Sequence, residues 1–113
     1  EFFLFSGDDF TFLEFLQLGG HGTISVTSNV VPSKISKICD LAEANLLEAQ
    51  TLEGSLSELN ELLFSESNPI PVKWALYKMG LIDKGIRLPL VELNEKYKKP
   101  LETCLNSLGL LDE

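Results

Sequence analysis

FFLFSGDDFTFLEFLQLGGHGTISVT, residues 2–27, decides the fold. Phe2 to Phe5 is apolar without alternation, which suits a strand buried on both faces. Ser6-Gly7-Asp8-Asp9 stops it. Asp8 or Asp9 can cap the segment that follows, Phe10 to Leu18, where Phe12, Leu13 and Leu16 fall at helical spacing. Gly19-Gly20 ends that helix, because glycine enters the left-handed conformation at little cost. His21-Gly22 leads into Thr23 to Thr27, where Ile24 and Val26 alternate with polar residues, a second strand. A strand, a helix and a strand in this order predict parallel pairing, since a parallel pair needs a crossover that a helix supplies.

From Pro32 onward the pattern is helical. Ile35, Ile38, Cys39 and Ala42 mark one amphipathic helix, with a break expected near Asn45. Leu52, Leu56, Leu59, Leu62 and Leu63 mark the next, although Gly54 inside it costs about 1 kcal/mol against Ala. After a polar loop, Ser65 to Ile70, Pro71 suits the first turn of a helix through Met79, closed by Gly80. A last helix runs from Asn94 to Leu108 and is closed by Gly109; Pro100 inside it predicts a later start or a kink. Two strands make a poor parallel sheet by themselves. A (β/α)8 barrel needs roughly 250 residues, so 113 residues would supply its final quarter. A small autonomous α+β domain with an unusually poor sheet is the alternative.

Composition narrows the function. Hydrophobic residues make up 44% and charged residues 23% of the chain, as in a folded domain. Nine Lys and Arg against 17 Asp and Glu leave a net charge of −8, which repels phosphate backbones and anionic lipid. Nucleic acid and membrane are therefore not expected partners. No apolar run approaches the roughly 20 residues of a membrane helix, and EFFLF lacks the basic start of a signal peptide. Cys39 and Cys104 form no CxxC pair, which fits two reduced thiols and a cytoplasmic location. His21 has no ligands near it at zinc spacing, so no metal site is expected. The only Met is Met79, and Glu1 leads straight into a strand-like run; the chain is expected to begin in mid-fold.

Several short motifs admit two readings each. SGDD at the end of a parallel strand can receive a ligand, with Gly7 opening the backbone to it and the following amides and carboxylates able to hydrogen-bond it. From these four residues alone the ordinary turn and cap is the favoured reading. ISVTSN occupies the same position after the second strand, or is a strand packed on both sides. In SNPIPVK, residues 67–73, two prolines would hold Asn68 in a fixed pose, but Asn-Pro is also a common turn starter. Lys73 in an early helical turn reads as solvated rather than as a nucleophile, which would need desolvation. Glu58 and Glu61 read as a solvent face. A single His excludes a Ser/His/Asp set in practice. GGHG follows a helix and precedes a strand, the reverse of a nucleotide-binding loop.

In order, LFSGDD, QLGGHGTISVTSNV, ESNPIPVKWAL, GLI, RLPL and a closing GLL resemble the dihydrodipicolinate synthases of the pyruvate aldolase (N-acetylneuraminate lyase) family from end to end. NPIPVK and ISVTSN favour that branch over the sugar-acid lyases. The resemblance implies an α/β fold, the C-terminal part of a TIM (β/α)8 barrel. Residues 1–46 would be its last two βα units and residues 47–113 a C-terminal helical region. It implies a lyase without metal or cofactor that condenses pyruvate with aspartate β-semialdehyde on a lysine Schiff base, towards lysine and diaminopimelate. Self-association is implied too, commonly as a homotetramer.

Among site residues, the resemblance puts Gly7 and Asp8 beside bound substrate, Ile24 at the border of the pyruvate site and Asn68 towards the second substrate. The family's Schiff-base lysine, its catalytic tyrosines and threonine, and its lysine feedback site fall outside this segment. Tyr77 and Tyr97 lie in helices. No catalytic residue is therefore expected here, and the isolated chain is expected to be inactive. A reading of another class stays open: a helical interaction module without catalysis that binds a partner through leucine faces.

Overall fold

The computed structural model describes residues 1–111 and divides into two compact units, Glu1–Ser57 and Glu58–Glu113. In the first, strand β1 (Phe5–Ser6) is followed by helix α1 (Phe12–Gln17), strand β2 (Gly22–Thr23), a 3-10 turn over Thr27–Asn29, helix α2 (Pro32–Ala44) and helix α3 (Leu46–Ser55). The strands are parallel, with Phe5 opposite Gly22 and Ser6 opposite Thr23. The parallel pair and the helix that bridges it agree with the pattern in the sequence.

Both strands are shorter than the expected Phe2–Phe5 and Thr23–Thr27, and each is displaced by a residue or more. In the second the cause is visible. The Val26 amide, next after that of Ile24 to face β1, donates instead to the Asp9 carboxylate at 2.9 Å, the Thr27 amide joins it at 3.2 Å, and the chain turns into the 3-10 segment. Helix α1 also starts later than expected, with Thr11 at the N-cap and without a side-chain cap. Asp8 stabilises the turn before it, accepting from the Phe10 amide at 3.2 Å and the Thr11 hydroxyl at 2.7 Å. Gly19 has φ of +107°, the left-handed geometry expected of a helix-ending glycine.

Helix α2 ends at Ala44, and Asn45 caps α3 by accepting from the Glu48 amide at 3.1 Å. The three helices enclose Phe12, Leu13, Val30, Val31, Ile35, Ile38 and Ala49, all buried. The leucine-marked helix expected through Leu63 is instead two, α3 and helix α4 (Ser57–Leu63), interrupted at Leu56. The interruption follows Gly54, the residue with the least tendency to hold a helix there.

In the second unit, helix α5 (Ile70–Lys78) has Pro71 in its first turn and Gly80 after its end with φ of +78°. Helix α6 (Glu95–Ser107) is capped by Asn94, whose side chain accepts from the Lys96 amide at 3.0 Å. Pro100 lies within α6 and does not delay its start. It is exposed, as is Lys96, so water can satisfy the carbonyl that proline leaves without a donor. Helices α5 and α6 pack together, and Leu59, Leu63, Ile70, Trp74, Ala75, Leu93, Leu101 and Leu105 are buried.

An ion cluster pins the loop before α6. Lys98 lies 2.9 Å from Glu92 and 2.7 Å from Glu95, and Lys84 lies 3.3 Å from Glu92. Hydrogen bonds from Lys98 and then Lys84 hold the Glu92 carboxyl below the usual carboxylate range, and Glu95 and Glu92 raise Lys98 above the usual lysine range. The Glu92 contribution is present above the unfolded carboxylate pKa and is lost as pH falls through the lowered value. The Lys98 contribution is present below the unfolded lysine pKa and is lost as pH rises through the raised one. Replacing Lys98 by Met should return the Glu92 titration, followed by carboxyl NMR, towards the ordinary range. Stability near neutral pH should change little, because the cluster faces solvent.

The sheet carries the opposite feature. Phe2, Phe3, Leu4 and Phe5 are all more than half exposed, Phe2 at 86%. An apolar strand with free edges templates association. The 113-residue chain by itself should associate in sedimentation at high concentration, and Phe2→Lys with Leu4→Lys should shift it towards monomer. A monodisperse wild-type monomer would contradict this.

Candidate functional site

Parallel pairing brings the C-terminal ends of β1 and β2 to one edge of the first unit. Gly7 and Asp8 follow β1 there, and Ile24 follows β2. The Ile24 amide donates to the Ser6 carbonyl at 2.8 Å and the Thr23 hydroxyl to the same oxygen at 3.2 Å, so the two strand ends are tied directly. The Ile24 side chain is nevertheless 73% exposed. The Ser6 hydroxyl accepts from the Asp8 amide at 3.1 Å and closes the turn that holds Gly7. A Cβ at Gly7 would meet no atom within 4 Å, so the space beside it is open.

The glycines of GGHG have a different task. A Cβ at Gly20 would collide with the Phe15 ring, and one at Gly22 would lie 2.9 Å from the Phe5 ring. His21 accepts from the Leu4 amide through Nδ1 at 2.9 Å and stacks edge-on against Phe3. This segment therefore braces the strand pair from the side.

Asp9 is the feature the sequence reading missed. It is 2% exposed, and its carboxylate accepts from the Ser25 hydroxyl and from the amides of Val26 and Thr27. A buried carboxylate is tolerated only with such a set of donors. The Ser25 hydroxyl in turn accepts from the Ser28 amide at 2.9 Å, and the Ser28 hydroxyl donates to the Ser25 carbonyl at 2.7 Å. Adjacent aspartates after a strand were the available signal, but nothing in the sequence says which one turns inward.

Asn68 belongs to the second unit, exposed in the turn that leads into α5. Among the described residues every lysine lies outside the two strands, and Lys73 is exposed on α5. A polar cleft of about 260 Å³ in the first unit is lined by Leu16, Gly20, His21, Cys39, Asp40 and Glu43. Burial, and secondarily Asp40, pushes the Cys39 thiol up, which disfavours the reactive thiolate. No group of three or more His, Cys, Asp or Glu able to hold a metal ion occurs among the described residues. No described helix is long and apolar enough to cross a membrane.

A parallel strand pair with a helical crossover and a polar, open C-terminal edge is the arrangement by which α/β enzymes present small-molecule sites. The comparisons show the family. Residues 1–108 match the model of the Dihydrodipicolinate synthetase family, and the chain belongs to that family. The 4-hydroxy-tetrahydrodipicolinate synthase of Teredinibacter turnerae is 50% identical over 111 residues, 97% of this chain and 38% of the relative.

Two solved dihydrodipicolinate synthases superpose closely. The Acinetobacter baumannii enzyme, in complex with pyruvate, gives a TM-score of 0.91 at 49% identity over 96% of this chain and 38% of its own. The Thermotoga maritima enzyme gives 0.94 at 41% identity over 97% and 38%. The chain thus spans 38% of the length of these relatives.

The open space at Gly7 and the filled space at Gly20 make opposite predictions for the same substitution. Gly7→Ala should change the unfolding free energy by no more than about 0.5 kcal/mol. Gly20→Ala should cost about 1–3 kcal/mol, the usual range for overpacking. Parallel urea titrations of the two variants measure the difference.

Proposed function

We propose that this chain acts as the C-terminal part of a (β/α)8-barrel lyase that condenses pyruvate with aspartate β-semialdehyde in lysine and diaminopimelate biosynthesis. Residues 1–46 would supply the last two βα units and residues 47–113 the helical region. The observation that carries this reading is the open strand-end edge bearing Gly7, Asp8 and Ile24, in a chain half identical to named synthases. The bare faces of Phe2 to Phe5 are consistent with further strands packing there. The reading also includes a cytoplasmic location and a homo-oligomeric parent, a homotetramer as in the resemblance.

In this scheme a lysine amine from outside these residues attacks the pyruvate ketone and water leaves. The resulting imine takes up the electron pair when the methyl group loses a proton, and the enamine carbon then bonds to the aldehyde carbon of the second substrate. Gly7 and Asp8 border the bound substrate, and Ile24 forms an apolar limit beside the pyruvate. Asn68 is assigned to the second substrate on its motif alone. The eight lysines of this chain supply none of the covalent chemistry in this reading, and no metal or cofactor is required.

Pyruvate followed by borohydride should leave the 113-residue chain without added pyruvyl mass, while the full-length protein carrying these residues should gain one adduct per subunit. In that protein Ile24→Asp should weaken pyruvate capture by tenfold or more, about 1.4 kcal/mol, because it sets an unpaired charge at the wall of the site. A single specific adduct on Lys73, or on another lysine of this chain, would overturn the assignment. Absence of trapping in the full-length protein would favour a non-catalytic interaction module.

A further inference from the structure

Ile24 poses a positioning problem. With its side chain 73% exposed, packing within the unit does not hold it, so its place depends on how the backbone on either side is anchored. On one side the anchor is the strand ladder, through the 2.8 Å bond from the Ile24 amide to the Ser6 carbonyl. On the other side it is Asp9. All three donors described above, the Ser25 hydroxyl and the Val26 and Thr27 amides, come from the three residues that directly follow Ile24.

Asp9 also ends the turn that carries Gly7 and Asp8. One buried carboxylate therefore locks the loop after β1 to the loop after β2. A shift of either loop breaks bonds to both.

The geometry points to Asp9 as a positioning residue that sets the distance between Gly7 and Ile24 for pyruvate. This inference rests on the function proposed above. Asp9 touches no substrate in this scheme and acts through the backbone of residues 24–27. An asparagine at this position keeps one acceptor for the two amides. Its second group is a donor, so the Ser25 hydroxyl loses the carboxylate oxygen to which it donates. The bonds to the two amides remain, and the Ser25 bond in its present form is lost. Misplacement of a site wall by about 1 Å costs as much as a hundredfold in turnover.

The test uses the full-length protein that carries these residues and reads the pyruvate concentration for half-maximal borohydride trapping, with thermal unfolding measured alongside. Asp9→Asn and Ser25→Ala should each raise that concentration about tenfold, with the trapped fraction at saturating pyruvate unchanged. Leu105→Ala, which removes a buried core side chain of α6, should lower the melting temperature and leave half-saturation where it was.

If both clamp variants bind pyruvate within about twofold of wild type, or if Leu105→Ala shifts half-saturation as much as they do, Asp9 is only a structural brace and the inference is overturned. Should Asp9→Asn fail to fold, Ser25→Ala decides by the same criterion. Wild-type protein that traps no pyruvate refutes the proposed function and this inference with it. Normal wild-type trapping with unaffected variants refutes this inference alone.

Discussion

The parallel register of Phe5 with Gly22 and Ser6 with Thr23 is the constraint on which the first unit depends. Antiparallel pairing would have sent the two following loops to opposite ends. Parallel pairing sends them to one end, where Gly7, Asp8 and Ile24 meet. The crossover helix α1 makes that register possible, and its buried Phe12 and Leu13 tie the crossover to α2 and α3. With only two paired residues in each strand, the hydrogen-bond ladder contributes little by itself. The side braces decide whether the pair holds.

Those braces are unusual in being polar or ring contacts rather than aliphatic packing. His21 receives the Leu4 amide, Phe5 covers Gly22, and Asp9 gathers three donors from the far side of the β2 turn. The aliphatic core lies elsewhere, among the helices. This division leaves the apolar surface of residues 2–5 uncovered and puts the polar network at the strand ends. The same network explains why β2 stops at Thr23. Once the Val26 amide is committed to Asp9, the ladder with β1 cannot use it.

The two acidic-rich regions differ in what their charges do. Glu92, Glu95, Lys84 and Lys98 face solvent and pair with one another across the loop that precedes α6. Asp9 is enclosed and pairs with neutral donors. Net charge counts both kinds alike, although the first is worth little to stability and the second would be costly to leave unmatched.

Much was legible in the order of residues. Periodicity and glycine punctuation gave the strand–helix–strand order, the end of α2 before Asn45, the Pro71 start of α5 and the closing roles of Gly80 and Gly109, because these depend on contacts a few residues apart. Motif order gave the family. The strand limits, the break at Leu56 and the tolerance of Pro100 were not legible, since each depends on what else occupies the neighbouring space or whether water reaches it. Asp9 shows the difference most clearly. Sequence alone presents two adjacent aspartates of equal standing, and only the tertiary fold turns one outward to cap its own turn and buries the other against amides 17 and 18 residues away. A hydrogen bond across that separation is decided by where the crossover helix returns the chain, which no local pattern encodes.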